Sequence, residues 1–303
     1  MKEFIETTTK SILNKYKEVD SWFQCRYSFN PYRGCQHGCS YCDGRSKKYW
    51  PKGGNETFDS KIEIKINAAE LLAKKLPTIK EKEVICVGGG VTDVYQPAEH
   101  KYGITRKCLQ VILNKGFPCH ILTKSDLVLR DLDLLKKLSA KNFCAVTFSF
   151  STTDDKLSNV LEHGATRPSR RLAAMNELNK QGIITGACLM PVVPFITDSD
   201  ELLDKSILDL SNNGANYVMH SPMTLCDDQE KFFMEFLAEN FSENLQDLKE
   251  KYKYLYRYGY SPDKDYTKRL GERVRALLRN HGMREKMPKF RPKTQDEMQM
   301  SLV

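Results

Sequence analysis

Three cysteines occupy one short run, Asn30-Pro31-Tyr32-Arg33-Gly34-Cys35-Gln36-His37-Gly38-Cys39-Ser40-Tyr41-Cys42-Asp43, in the spacing C-x3-C-x2-C. Three thiolates can anchor three irons of a cubic iron–sulfur cluster, whereas full protein ligation takes four. The remaining iron is then open to a substrate or cofactor, so the spacing points to chemistry. Two other readings compete. A structural zinc site wants a fourth Cys or His at short range, and His37 is crowded between thiolates bound to the same metal. A redox dithiol uses only Cys39 and Cys42 and leaves Cys35 without a role.

The elements that would carry this loop follow a regular alternation. Apolar runs near 25–33, 84–88, 118–123, 143–150, 183–190 and 216–220 read as strands. Helical patterns lie between them, near 67–76, 104–115, 126–139, 168–181 and 199–213. Leu127, Val128, Leu132, Leu135 and Leu138 repeat at the helical period. Asn67 ahead of Glu70 has the form of a capping box, and Gly116 and Gly182 fall where helices should stop. Strands alternating with helices imply parallel pairing with crossover returns. The pattern alone permits either a doubly wound sheet or a barrel. In both, function collects at the carboxyl ends of the strands. The cysteine loop, Gly88-Gly89-Gly90, Lys124, Ser149 and Ser151 all sit at such ends.

The cysteine run, with the segments that follow it, resembles the radical S-adenosylmethionine (SAM) superfamily, in its spore photoproduct lyase-like (DNA-repair photolyase-like) branch. The further segments are Thr92-Asp93-Val94-Tyr95-Gln96-Pro97-Ala98-Glu99, Leu122-Thr123-Lys124-Ser125 with Arg130-Asp131, Ser149-Phe150-Ser151-Thr152, and Leu161-Glu162 with Arg170-Arg171-Leu172. The resemblance spans roughly residues 21 to 290. It implies an α/β fold, a partial (β/α)6 TIM-like barrel with a helical, basic C-terminal extension. It also implies a [4Fe-4S] cluster on Cys35, Cys39 and Cys42, and SAM cleaved reductively to a 5′-deoxyadenosyl radical that abstracts hydrogen from a substrate. An electron donor such as flavodoxin or ferredoxin would feed the cluster. Gly89 and Gly90, whose backbone can approach a ligand without a Cβ clash, together with Thr92 and Asp93, are implied at the methionyl amine. Lys124 is implied as a point charge for the carboxylate, Ser149 for a carboxylate or ribose oxygen, and Tyr41 at the adenine. Ser151, Arg171 and His220 are weaker candidates. The lyase returns hydrogen to its product through a cysteine near the end of strand two; Gly90 stands there in this chain, and Tyr95 is the nearest alternative donor.

Composition sets the wider frame. The chain has 303 residues, 40% of them hydrophobic, and a formal net charge of +8. No apolar stretch is long enough to span a membrane, and the polar, charged beginning lacks a secretory core, so a cytoplasmic location is expected. Cys86, Cys119, Cys144 and Cys188 lie in apolar runs and read as buried thiols. The expected units are an N-terminal segment 1–20, a barrel core 21–225, a helical basic extension 226–287 and a flexible tail 288–303. Residues 261–293 hold eleven Lys or Arg against four Asp or Glu, so nearly all the net charge resides there. Such a concentration is the footprint of a polyanion, DNA above all, although charge runs are more often solvated helix faces. The run Lys251-Tyr252-Lys253-Tyr254-Leu255-Tyr256-Arg257-Tyr258-Gly259-Tyr260 interleaves cations with rings that stack on bases, with Tyr252 and Tyr256 expected to pack inward. Gln299-Met300-Ser301-Leu302-Val303 resembles the short peptide by which bacterial repair proteins bind the sliding clamp. A radical SAM enzyme acting on nucleic acid is the leading reading. One acting on a peptide or small molecule, and a non-catalytic DNA-associated metal-cluster protein, are the alternatives.

Overall fold

The structure is a computed structural model, and it describes residues 2–50 and 57–290. Ten strands form in chain order: β1 (Glu3–Thr7), β2 (Asn14–Lys15), β3 (Tyr27–Phe29), β4 (Tyr32–Arg33), β5 (Lys61–Lys65), β6 (Ile85–Val87), β7 (Cys119–Thr123), β8 (Cys144–Phe150), β9 (Ile184–Val192) and β10 (Val218–Pro222). The main sheet runs β10-β9-β8-β7-β6-β3-β2, and every neighbouring pair from β3 to β10 is parallel. Spatial order therefore follows chain order from β3 onward. A doubly wound sheet reverses its order at a switch point. This one never does, so successive right-handed crossovers lay their helices on one face and curl the sheet into a partial barrel. The edges are β10 and β2, and the latter pairs antiparallel with β3.

The helices of the crossovers are α1 (Ala68–Lys75), α2 (Ala98–Tyr102), α3 (Ile104–Lys115), α4 (Leu132–Lys141), α5 (Asp155–Leu161), α6 (Pro168–Lys180) and α7 (Asp200–Asn212). Gly116 ends α3 in the left-handed region at φ +68°, where glycine has no Cβ penalty. Asn67 does not cap α1: its amide instead accepts from Thr9 N and donates to Thr9 O, tying down the N-terminal segment. The expected helix over 126–139 starts as a 3-10 turn at Asp126–Asp131 before α4 begins. The expected strand 25–33 is divided, because Pro31 cannot donate to a ladder. Beyond it β4 leaves the barrel and joins β5 and β1 in a separate three-stranded sheet. Residues 3–7 are thus a strand of the fold, paired in register with 61–65.

Three C-terminal helices follow: α8 (Asp227–Asn240), α9 (Leu245–Leu255) and α10 (Lys264–Asn280). The division at 225/226 is not a packing boundary. Leu270, Val274 and Leu278 on the inner stripe of α10 are buried in the same core as Ile207 and Leu210 of α7 and Val218 of β10. Val218 N donates to Arg284 O at 2.8 Å, so the chain beyond α10 adds to the β10 edge. The ring of Phe290, the last described residue, lies 5.9 Å from that of Phe143. The clamp-like run 299–303 lies outside the described residues. Part of the basic charge is structural: Arg273 pairs with Asp200 and Arg275 with Glu285. No described helix is long and apolar enough to cross a membrane.

If α10 is integral to the core, Leu278→Ala should cost about 2–5 kcal/mol and shift the single urea transition of the whole chain. A separate, low-stability transition for the C-terminal helices, with the rest unmoved, would show an independent unit instead.

Candidate active site

The loop between β4 and β5 is held by close packing that only glycine permits. A Cβ on Gly38 would lie 2.6 Å from the His163 ring, and one on Gly44 would lie 2.7 Å from Phe58. Arg45, fully buried, lies 3.8 Å from the Phe232 ring centroid and 3.2 Å from Asp59. Cys35 and Cys39 are buried and Cys42 half-buried, and all three line one cavity of about 260 Å³. Its walls also carry Tyr41, Gly89, Gly90, Thr92, Asp93, Lys124 and Ser149. The main residues that the sequence assigned to cluster and SAM are therefore brought to one place, whereas Ser151, Arg171, His220 and the donor candidate Tyr95 are not in its lining.

Tyr95 does not reach the cavity. Its ring is buried in the main core, and its hydroxyl donates to Asp131 Oδ2 at 3.0 Å under the Arg130 guanidinium. Buried in this way, it is corrected from hydrogen donor to core residue. The reason is local. Tyr95 N donates to Asp93 Oδ1, a turn that points residue 93 to the cavity and residue 95 away from it. Asp93 is heavily engaged, for it also accepts from Thr123 Oγ1 at 2.8 Å and from Lys124 N at 2.6 Å. His37 lies 3.4 Å from the same carboxylate, and burial lowers its pKa. Thr92 Oγ1 donates to Gly34 O at 2.7 Å. Gly88 has φ +97°, a backbone conformation other residues rarely adopt. A Cβ added at Gly90 would meet nothing within 4 Å among the described residues.

Charge in the cavity is organised by a residue that the sequence left without a role. Glu162 is buried and accepts from the Tyr41 hydroxyl, from Arg171 Nη2 and from Ser158 Oγ. Burial opposes its ionisation, but Arg171 and Lys124 outweigh that and hold its pKa down to about 2. Arg171 also donates to Ser149 O, so it is a barrel residue that positions the site. Lys124 Nζ donates to Ser149 Oγ at 2.8 Å and lies 5.7 Å from the Tyr41 ring centroid. Burial would discharge it, yet the facing Cys39 and Glu162 raise its pKa, so the ammonium persists. His220 is 3.3 Å from Glu285, outside the cavity lining. Ser151 is buried and its Oγ has no hydrogen-bond partner among the described residues.

Cys188, expected as a core thiol, lines the cavity from β9. Burial pushes its pKa up to about 12, so the thiol keeps its proton. The other expected core thiols, Cys86, Cys119 and Cys144, are buried away from it. No three described His, Cys, Asp or Glu side chains converge on a point suited to one metal ion. A cubane places each thiolate on a different iron and needs no such point.

The comparisons agree with this geometry. A spore photoproduct lyase solved with bound AdoMet and dinucleoside spore photoproduct superimposes with a TM-score of 0.68 at 16% identity, over 92% of this chain and 79% of the lyase. The barrel thus has that lyase's fold. The family model of the Radical SAM superfamily matches residues 29–207. An uncharacterised protein of Mycobacterium tuberculosis is 31% identical over 276 residues, covering 91% of this chain and 80% of its own. One from Methanocaldococcus jannaschii is 29% identical over 82% of this chain and 88% of its own. The chain belongs to the Radical SAM superfamily, and it is an enzyme of that class. Membership implies SAM and an iron–sulfur cluster as its cofactors.

Replacing Glu162 with Gln should leave Arg171 and Lys124 uncompensated and cost about 3–5 kcal/mol by chemical denaturation at pH 7. The sign in acid follows from the depressed pKa. This stabilisation is complete above the ordinary glutamate value of 4.5 and is lost as pH falls toward 2. The Gln variant should therefore lose less stability than the native protein across that window.

Proposed function

We propose that this protein is a radical SAM enzyme whose substrate is nucleic acid, a DNA lesion or modified nucleotide. The observation that carries the class of chemistry is the convergence of Cys35, Cys39 and Cys42 with Lys124 and Asp93 on one cavity at the strand ends. Three thiols and no fourth in the loop suit a cubane with one open iron, and the buried cation beside them suits a carboxylate. Bound cluster and SAM supply a 5′-deoxyadenosyl radical, chemistry that belongs to the cofactor. The chain's own residues do the rest. Cys35, Cys39 and Cys42 hold the cluster. Lys124, steadied by Ser149, takes the SAM carboxylate. Asp93 and Thr92 face the amine, with the Gly89–Gly90 backbone beside them. Tyr41, pinned through its hydroxyl to Glu162, offers its ring to the adenine, and the apolar walls exclude water.

Cys188, which lines the cavity where Tyr95 does not, is our assignment for the hydrogen donor. Its S–H gives a hydrogen atom to the carbon radical of the product, forming C–H. The sulfur radical left behind is restored by one electron, from the class of low-potential donor that reduces the cluster, and one proton. The nucleic-acid reading is supported by the lyase-like fold and by α10, where Lys264, Lys268, Arg269 and Arg279 make no ion pair among the described residues.

Anaerobic reconstitution with iron and sulfide, followed by dithionite and SAM, should yield 5′-deoxyadenosine, and irradiated DNA should stimulate it. Cys35→Ala should abolish it while the circular dichroism of the barrel persists. Product formed in D2O should carry one deuterium in the native enzyme and none in Cys188→Ala, with 5′-deoxyadenosine formation retained. DNA affinity should fall with salt by about 0.9 log units in K per log unit of salt for each phosphate contacted. A flat salt response would favour a peptide or small molecule.

A further inference from the structure

The segment that closes α9 divides its tyrosines between two jobs. Tyr252 and Tyr256 turn inward, their hydroxyls donating to Pro194 O and Met223 O, each at 2.6 Å. Tyr254, Tyr258 and Tyr260 stand in solvent, 67%, 82% and 64% exposed. Rings so exposed add nothing to the core, and a cluster of them marks an interaction surface. Two of them are held in place by a cation. The Arg257 guanidinium lies 3.9 Å from the Tyr254 ring centroid and 4.5 Å from that of Tyr258. Arg257 is itself fixed by Asp263 Oδ2 at 2.6 Å and by Tyr254 O at 2.7 Å. Two rings and a guanidinium are thus held together while the rings stay exposed, so little side-chain entropy remains to be lost on binding.

Tyr260 ties this segment to the cavity rim. Leu225 N donates to Tyr260 O at 2.8 Å. The preceding residue, Thr224, lines the cavity and donates to Asp43 Oδ1, the lining residue that follows Cys42. In the cysteine loop, the Lys48 ammonium sits 5.0 Å from the Tyr49 ring centroid. Rigid aromatic faces flanked by cations, beside the opening to the chemistry, match unpaired bases and their phosphates rather than an apolar peptide.

We propose that Tyr254 and Tyr258, ordered by Arg257, together with Tyr260 form a stacking platform for unpaired bases of the nucleic-acid strand that enters the cavity. This rests on the nucleic-acid reading above and extends it, because it predicts preference for unstacked bases over duplex. The test needs no cofactor. Fluorescence anisotropy of the full-length apoprotein would be measured with labelled oligo-dT, with oligo-rU of the same length, and with a duplex. The variants are Tyr258→Ala/Tyr260→Ala and Tyr258→Phe/Tyr260→Phe.

The native protein should bind a single strand more tightly than duplex, and whichever of the two strands binds better identifies the source of the bases. The double Ala variant should weaken single-strand binding about tenfold or more, with thermal stability unchanged. The Phe variant should bind as the native protein does. Native binding that the Ala pair leaves unchanged, or that the Phe pair loses equally, overturns the platform and leaves the nucleic-acid reading standing. No native binding to any oligonucleotide overturns both.

Discussion

A buried ion network fixes the relation between the cysteine loop and the barrel, and the rest of the site depends on it. Glu162 joins Tyr41 of the loop to Arg171 of α6, while Arg171 reaches Ser149 O at the end of β8 and Lys124 bridges to Ser149 Oγ from the end of β7. Four segments distant in the chain meet through these groups. Charges this deep persist only when paired and hydrogen-bonded, so the cavity cannot relax without exposing an unpaired charge. The same pairing keeps Lys124 cationic where burial alone would discharge it. Positioning and electrostatics come from one set of bonds.

The sheet order explains why these groups can meet. Six parallel strands in unbroken sequence bring their carboxyl ends to one rim, so the loop beyond β3 and β4 and residues just past β6, β7 and β8 become neighbours. The small β1-β5-β4 sheet secures the far end of the cysteine loop by pairing β5 with residues 3–7. On the opposite edge, α10 and the chain to Phe290 pack against β10 and the barrel's lower end.

Much of this was legible in the sequence, for identifiable reasons. The triad, Lys124 and Ser149 are each read from a local cue, fixed thiol spacing or a polar residue ending an apolar strand, whereas Asp93 came only with the family resemblance. The six barrel strands follow from their apolar runs. What local cues could not convey is direction and partnership. Tyr95 sits two residues past Asp93, but a single turn sends it into the core. Cys188 looks like any thiol in a buried strand until the curl of the barrel turns that face of β9 to the cavity. Glu162 carries no motif of its own, and its role emerges only from partners at positions 41, 158 and 171. The basic helix was read for its charge, yet its inner stripe of Leu270, Val274 and Leu278 makes it core.

The central claim is a cluster anchored by three thiols whose fourth iron is left for SAM. Low-temperature electron paramagnetic resonance of the reduced, reconstituted protein, recorded with and without SAM, tests it most directly. The account predicts a [4Fe-4S] signal whose g-values shift when SAM is added. A cluster spectrum that SAM leaves unchanged, or a preparation holding zinc in place of iron, would contradict it.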